Sequence, residues 1–586
     1  MPSASAAPEA EKSIKPTRTE GPTKVNFSAS VAFASAVCAA NRSSRSTVPC
    51  DIGTSGSDQN SDVCDNSSDK NPLIADFTLA QLQKLKWTAK CNPPLKPLAT
   101  TQIEFGQVTV RMGTAYEVFC ETCSLDSLVD LVVSESNRYA VQQGQEFQTT
   151  SEEIKAFFGI LLLMGYHCLP STRNYWSTDD DLQVPFVGKI MTLKRFEALK
   201  RFLHFKNNDE VPPKDSAEYD GAYKIRPVID HLNAAFQRAR TPESCQSVDE
   251  RMIKFKGHNI MRQYIKNKPV KWGFKMWMRC GSVSGYTYQM QMYVGKKTCA
   301  EVGLGENVVL DLTKTLIGTG CRIFMDNFFT SPRLLQIMHF HGLEGSGTVR
   351  KNRTGLPETK VDKNMKKGEI QSFQTSDKKM NFVKWMDTKA VHLISNSEGP
   401  TGTVPTERRQ KGSADKVTIG VPTLVKEYNK YMGGVDLADQ LKSYYAIDIR
   451  CRYKYYLRVV FDSLDTTVVN GYLNYKYLNP ETKVTHLEFR QQVVHGLVGT
   501  YTSRKNAFPL GAIKRKSCPA VVHDHLPQIM PDRKRCKLCH KIGVENRSRF
   551  QCVTCGAALC LQSDRNCFTE FHTEQLSELY YEISVK

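Results

Sequence analysis

From Val270 to Cys280 large side chains alternate without a break. Val270, Trp272, Phe274, Met276, Met278 and Cys280 fall on one face, and Lys271, Lys275 and Arg279 on the other. After the turn GSVSG (281–285), Tyr286, Tyr288, Met290, Met292 and Val294 alternate again. A period of two on both arms of a turn is the pattern of an antiparallel hairpin with one buried face. A helix would scatter these residues round its axis, so the chain must contain a sheet. What flanks the hairpin says which kind.

Upstream, a period of 3.6 prevails. Residues 124–142, 154–169, 193–205 and 224–239 carry apolar side chains at i, i+3 and i+4, which predicts a region of four or five helices. QSVDERMIKFK (246–256) then reads as a strand. Downstream, a helix over about 308–317 is stopped by Gly318 and Gly320, CRIFM (321–325) suits a short buried strand, and a helix over 332–341 ends at Gly342. Three strands, a helix, a strand and a helix make an α/β domain. Residues 350–420 are polar, with one strand pair at NFVKWM and AVHLIS, and helices resume over 434–478. Residues 1–75 are rich in Ser, Ala, Thr and Pro and read as disordered; 76–110 show no clear pattern.

Lys and Arg outnumber Asp and Glu by 79 to 60, a net charge of +19 that favours a polyanionic partner, nucleic acid or an anionic membrane surface. The most apolar run, Phe157–Tyr166, is half of the roughly 20 residues that a membrane-spanning helix needs. SASVAFASAVCAA (28–40) faintly resembles a signal-peptide core but begins too deep in the chain. Cysteines such as Cys38, Cys168, Cys245 and Cys451 are scattered singly, which fits a reducing compartment.

The acidic residues in the α/β part are placed for chemistry. Asp249 lies inside the first strand and Asp326 at the carboxyl end of the fourth, where the sites of α/β sheets gather. In GGVDLADQLKSYY, Asp436 and Asp439 are three apart, one face of a helix, and repel each other unless a cation or the helix's positive end intervenes. Glu250 points to the opposite face of its strand and is not expected in the same site. Carboxylates of this kind hold Mg²⁺ for phosphodiester cleavage, two ions activating the attacking and stabilising the leaving oxygen. Turn or cap roles for each aspartate remain open on these residues alone.

A second constellation lies near the end. Cys536-x2-Cys539 and Cys552-x2-Cys555 are followed by Cys560, Cys567 and His572, a zinc pattern in a segment too small to bury its own core. Seven ligands are one short of two tetrahedral sites, and His540 is one source of the eighth. Cys120-x2-Cys123 stands alone beside an amphipathic helix and reads as structural. The tail over 503–541 carries ten Lys or Arg against two Asp, including KRK (514–516) and RKR (533–535). These blocks suit phosphate contacts, nuclear import or a solvated face.

Several of these stretches together resemble the piggyBac transposase family. SVDERMIKFKG is similar to the family's first catalytic strand, FMDNFFTS to its second carboxylate motif and YMGGVDLADQ to its third; ESNRYA, RFLHFKNND, KWGFKMW, GTVRKNR and KAVHLIS resemble it in the same order. The resemblance implies an RNase H-like (integrase-type) core with an insertion domain, and a C-terminal cross-brace zinc finger that reads transposon ends. It implies Asp249, Asp326 and Asp436 as a Mg²⁺ (or Mn²⁺) triad and Asp439 as an accessory carboxylate. Cut-and-paste transposition at TTAA targets through hairpin ends, double-stranded DNA as partner, a homodimer and a nuclear location follow from it. It also favours His525 as the eighth ligand of two structural Zn²⁺ ions.

The expected domains are a disordered 1–100, a helical dimerisation or DNA-binding 110–244, a catalytic domain in two parts (245–349 and 426–485) around an insertion (350–425), a helical and basic return (486–530) and a zinc-binding 531–575. A domesticated, non-catalytic DNA-binding protein is the alternative within the family. A RING- or PHD-like ubiquitin ligase, the alternative outside it, leaves the aspartate motifs unexplained.

Overall fold

The computed structural model describes residues 84–89, 103–295, 303–409, 416–447, 454–503 and 526–572, apart from single positions 217, 267, 398, 400 and 563. Residues 28–40, Cys451, the block 514–516 and His525 lie outside them. The chain divides at Arg504 into two compact units, each described by itself.

A ten-stranded mixed sheet runs through the first unit. At its centre is β2 (Cys245–Lys254), paired antiparallel with β4 (Trp272–Gly281). The far edge of β4 holds the short β3 (Gln263–Tyr264) and β5 (Thr287–Met292), so the alternating hairpin is formed as its pattern predicts. On the other side of β2, β6 (Arg322–Met325) and β7 (Glu344–Thr348) run parallel to it.

The sheet then continues. Antiparallel to β7 lies β10 (Ala390–Ser395), followed by β9 (Asn381–Met386), β8 (Ile370–Thr375) and β1 (Trp87–Thr88). The region 350–425, expected as an insertion domain, therefore shares the sheet of its flanking segments. It adds a separate hairpin of β11 (Thr403–Arg409) and β12 (Lys416–Pro422). β1 falls in the region expected to be disordered: its ladder to β8 is reinforced by the Trp87 indole, which donates to the Gly355 carbonyl at 2.8 Å and meets the Phe382 ring edge-on.

Helices cover both faces. Upstream are α1 (Ala115–Cys123), α2 (Leu125–Gln142), α3 (Ser151–Tyr166), α4 (Pro185–Ile190), α5 (Leu193–Phe202) and α6 (Arg226–Ala239). Thr114, Thr150 and Thr192 start three of them by accepting the backbone N–H of Glu117, Glu153 and Arg195. α7 (Leu304–Thr313) and α8 (Pro332–Phe340) pack under the sheet on Val248, Trp277, Ile323 and Met325. After α9 (Thr423–Tyr431) and α10 (Gly434–Ser443), α11 (Tyr455–Leu478) is buried along most of its length, and α12 (His486–Val498) returns to pack on α3. The upstream helices and α10, α11 and α12 share one core with Phe274, Met276 and Met278, so the helical region and one sheet face are a single packing layer, while α9 packs separately on Val383, Trp385 and Leu393. Among the described residues no helix is long and apolar enough to cross a membrane.

The second unit contains β13 (Pro527–Arg535) paired with β14 (Arg547–Cys552) and the short α13 (Lys537–Lys541). Its interior is Leu538, Leu559, Phe568 and Phe571 set among six cysteine or alanine side chains, too little apolar surface to hold the unit alone.

Candidate active site and metal centres

The β2–β6 pairing ends at Val248↔Met325, and Asp249 and Asp326 are the next residues on each strand. Val248 and Met325 are buried against α7 and α8. Because strand side chains alternate, both aspartates turn to the opposite face. The Asp326 carboxylate is held there by the N–H of Phe328, which donates to its Oδ1 at 2.8 Å in the turn that leads to Ser331, the N-cap of α8.

α10 brings the third carboxylate. Gly434 opens it, and a Cβ there would fall 2.5 Å from Ser247 Oγ and 2.6 Å from the Gly281 carbonyl. Only glycine lets the first turn of α10 rest on β2 and β4. Two residues on, in that same turn, is Asp436, where the helix's positive end favours a carboxylate.

Electrostatics tie the three together. Burial pushes the Asp249 carboxyl up to about 7, Lys268 opposes the rise, and Glu250 and Asp326 add to it. Burial also raises Asp326 and Asp436, the latter crowded by protein although its surface opens to solvent. Tyr428 on α9 lies among them: burial pushes its phenol well up, and Asp326, Asp249 and Asp436 all add to the effect. Burial works against the charge of Lys268, but Asp249, Glu250 and Asp436 outweigh it and hold the ammonium protonated. Its Nζ lies 3.5 Å from Glu250 Oε1 and donates to the Glu250 carbonyl at 3.3 Å.

The three aspartates share this neighbourhood without closing on one another. Among the described residues, the sets of three or more ligating atoms all within 4.8 Å of each other are both in the second unit. Lys268 and Lys275 are the cations that these carboxylates face, and the carboxylates themselves repel one another.

Two expectations from sequence meet a different geometry. Asp439 follows on the same helix, but its carboxylate accepts a hydrogen bond from the buried Arg251, which also reaches Asp462 at 3.4 Å and Thr466 at 2.8 Å. It is part of a clamp between β2, α10 and α11. Glu250 does turn away, to Lys268 and Lys275, yet its charge raises all three aspartates. Alternation settles where a side chain points, but a charge acts through the sheet. Lys268 and Tyr428 were not singled out from sequence; a lone lysine in a loop and a tyrosine on a helix carry no distinguishing spacing.

The second unit gathers its ligands as two sets. Cys536, Cys539, Cys560 and Cys567 come together, and Cys552, Cys555 and His572 form another. The first CxxC thus joins the third ligand pair and the second skips over it, a crossed arrangement. His572 Nδ1 donates to the Phe568 carbonyl at 2.7 Å, which turns Nε2 toward Cys555 Sγ, 3.2 Å away. A backbone carbonyl fixing the tautomer in this way is the usual support of a metal-ligating histidine. Four thiols in one set and two with an imidazole in the other are donors that fit zinc. His540, the competing eighth ligand, belongs to neither set. On α1, Cys123 is buried with its Sγ donating to the Phe119 carbonyl, in keeping with a structural role for that CxxC.

The family model described as Transposase IS4 matches residues 119–472. Human PiggyBac transposable element-derived protein 3 is 29% identical over 544 residues, 89% of either chain. Human PiggyBac transposable element-derived protein 2 is 30% identical over 378 residues, 63% of this chain and 62% of that one. A solved structure, the piggyBac transposase synaptic complex with hairpin DNA, shares the fold with a TM-score of 0.61 at 22% identity, over 80% of this chain and all of that one.

Proposed function

The chain belongs to the transposase family described as Transposase IS4, on its piggyBac side, and from that premise we propose that it cuts and rejoins DNA strands with divalent metal ions. The observation that carries this reading is the shared neighbourhood of Asp249 and Asp326, on adjacent parallel strand ends, and Asp436, in the first turn of α10, all three acting on Tyr428. Strands β5, β4, β2, β6 and β7, a meander followed by two parallel strands, are read as the RNase H-like core. Asp249, Asp326 and Asp436 would hold two Mg²⁺ or Mn²⁺ ions. Bound there, such ions supply the charge that activates a water or 3′-hydroxyl and stabilises the leaving oxygen.

The chain's own groups do the rest. Burial that raises all three carboxyls makes each of them a stronger seeker of a cation than of water. Lys268 keeps a positive charge at the mouth of the site, where a phosphate of the substrate would approach. Strand transfer at TTAA targets through hairpin ends, double-stranded DNA as substrate, a homodimeric assembly and a nuclear location complete the reading. Asp439 is an accessory carboxylate only if Arg251 releases it on metal loading.

In the second unit we assign one Zn²⁺ to Cys536, Cys539, Cys560 and Cys567, and another to Cys552, Cys555, His572 and His525. The support for His525 is that the neighbouring Leu526 carbonyl accepts the N–H of Val553, inside the Cys552–Cys555 knuckle. This unit would read transposon-end DNA.

The test offers the purified full-length chain, with Mg²⁺ or Mn²⁺, a donor flanked by candidate terminal repeats, beside an Asp326→Ala control. Metal-dependent nicking that the control lacks is expected. Binding to those ends with no nicking would replace this reading with that of a domesticated DNA-binding protein.

A further inference from the structure

The sheet edge at β3 carries an exposed aromatic group with no role in the reading above. Tyr264 and Trp272 are cross-strand partners whose rings lie 4.7 Å apart, and the Arg262 guanidinium sits 4.5 Å from the Trp272 ring. The guanidinium is held in place by the carbonyls of Lys256 (3.2 Å) and Gly257 (3.0 Å). Tyr264 remains 51% exposed, Trp272 46% and the neighbouring Ile260 94%. A tethered guanidinium over the Trp272 ring, with the Tyr264 ring tilted 46° against it, is an ordered aromatic ledge whose half-exposed rings are open to stacking.

Its surroundings are positively charged. Residues 254–272, which form this edge, contain six Lys or Arg and no Asp or Glu. Lys254, Lys256, Lys266 and Lys271 are exposed around the rings. Its position relates to the carboxylates in two ways. Trp272 shares a strand face with Met278, the cross-strand partner of Asp249, and six residues of strand separate them, about 20 Å along the sheet. The loop between Tyr264 and Trp272 also sends Lys268 back to Glu250.

Resting on the proposed DNA chemistry, we propose that Arg262, Tyr264 and Trp272 form a stacking platform for unpaired bases of a DNA strand leading away from the carboxylate site. Every base offers a π-face, so such a platform is sequence-tolerant, and the surrounding lysines follow the backbone phosphates. In a paired duplex the base faces are already stacked, so the platform discriminates single-stranded DNA from double-stranded.

The experiment measures fluorescence-anisotropy binding of the full-length chain, in EDTA so that no strand is cut, to a flush duplex and to the same duplex with a short oligothymidylate tail. The wild type is expected to prefer the tailed duplex. Tyr264→Ala and Trp272→Ala should weaken tailed binding about tenfold or more while leaving the flush duplex unchanged, and Tyr264→Phe should keep the preference. Thermal melting checks that each variant is folded. Should the wild type bind flush and tailed DNA equally, or both alanine variants keep the preference, the platform falls and the transposase reading stands. Should the wild type bind no DNA of either kind, both fall together. Loss of flush binding along with tailed binding would also overturn the platform, by making these residues general DNA contacts.

Discussion

Replacing Asp249 by asparagine should make the metal-free protein more stable above neutral pH. An aspartate in an unfolded chain titrates near ~3.9. In the folded protein burial lifts Asp249 to about 7. Between those values the folded chain keeps a proton that the unfolded chain has released. Stability therefore falls as pH rises through this window, and the whole cost is present above it. Three pH units correspond to at most about 4 kcal/mol. Asparagine removes the ionisable proton but keeps an oxygen that can accept the Glu250 N–H, as Asp249 Oδ1 does at 2.8 Å. The assay is urea denaturation of wild type and Asp249→Asn in EDTA at about pH 5 and about pH 8. The variant's advantage should grow by a few kcal/mol from the lower to the higher pH. Added Mg²⁺ should then raise the wild type alone, by about 2.7 kcal/mol at a hundred times its dissociation constant. A variant no more stable than the wild type at about pH 8, or an advantage that shrinks with pH, would show that attraction to Lys268 outweighs burial and would refute the reasoning.

Gly434→Ala should cost about 1–3 kcal/mol in stability and loosen Asp436, because its Cβ meets Ser247 and the Gly281 carbonyl, whereas Gly433→Ala, with nothing within 4 Å, should be close to neutral in the same melts. Arg251→Ala should destabilise by about 1–3 kcal/mol in denaturant, since Asp439 and the buried Thr466 hydroxyl lose their partner while Lys442 still pairs with Asp462. Cys539→Ser and His572→Asn should each remove a different one of the zinc ions counted by metal analysis of the intact chain. Cys539→Ser should also expose residues 526–572 to proteolysis while 103–503 resist it.

The sequence announced what buries its own pattern. The hairpin of β4 and β5, the strands NFVKWM and AVHLIS, and β6 all appear where alternation or an apolar run put them. β7 escaped because EGSGT has no large side chain to reveal it. Gly347 must stay small, a Cβ there lying 2.2 Å from Thr330 Oγ1 and 2.5 Å from the Met325 carbonyl. β1, only two residues long, depends on β8 for its form, and no local pattern marks a strand made by its partner. The positions of Asp249 and Asp326 at strand ends were legible from the elements on either side. That Glu250 and Lys268 act on them was not, because it depends on how the 265–271 loop folds back over β2.

The abrupt end of β6 has a consequence for how the site loads. The parallel ladder of β2 with β6 stops at Val248, and Glu250, the second residue past that point, gives its amide N–H to Asp249 and its carbonyl to Lys268. The same two side chains thus finish the ladder and guard the carboxylates. A cation that recruited Asp249 would compete with the main chain for it, so occupancy and the local order of this strand end would oppose each other in one linked equilibrium. The fraying of a few backbone atoms becomes a dial on the affinity of the whole centre.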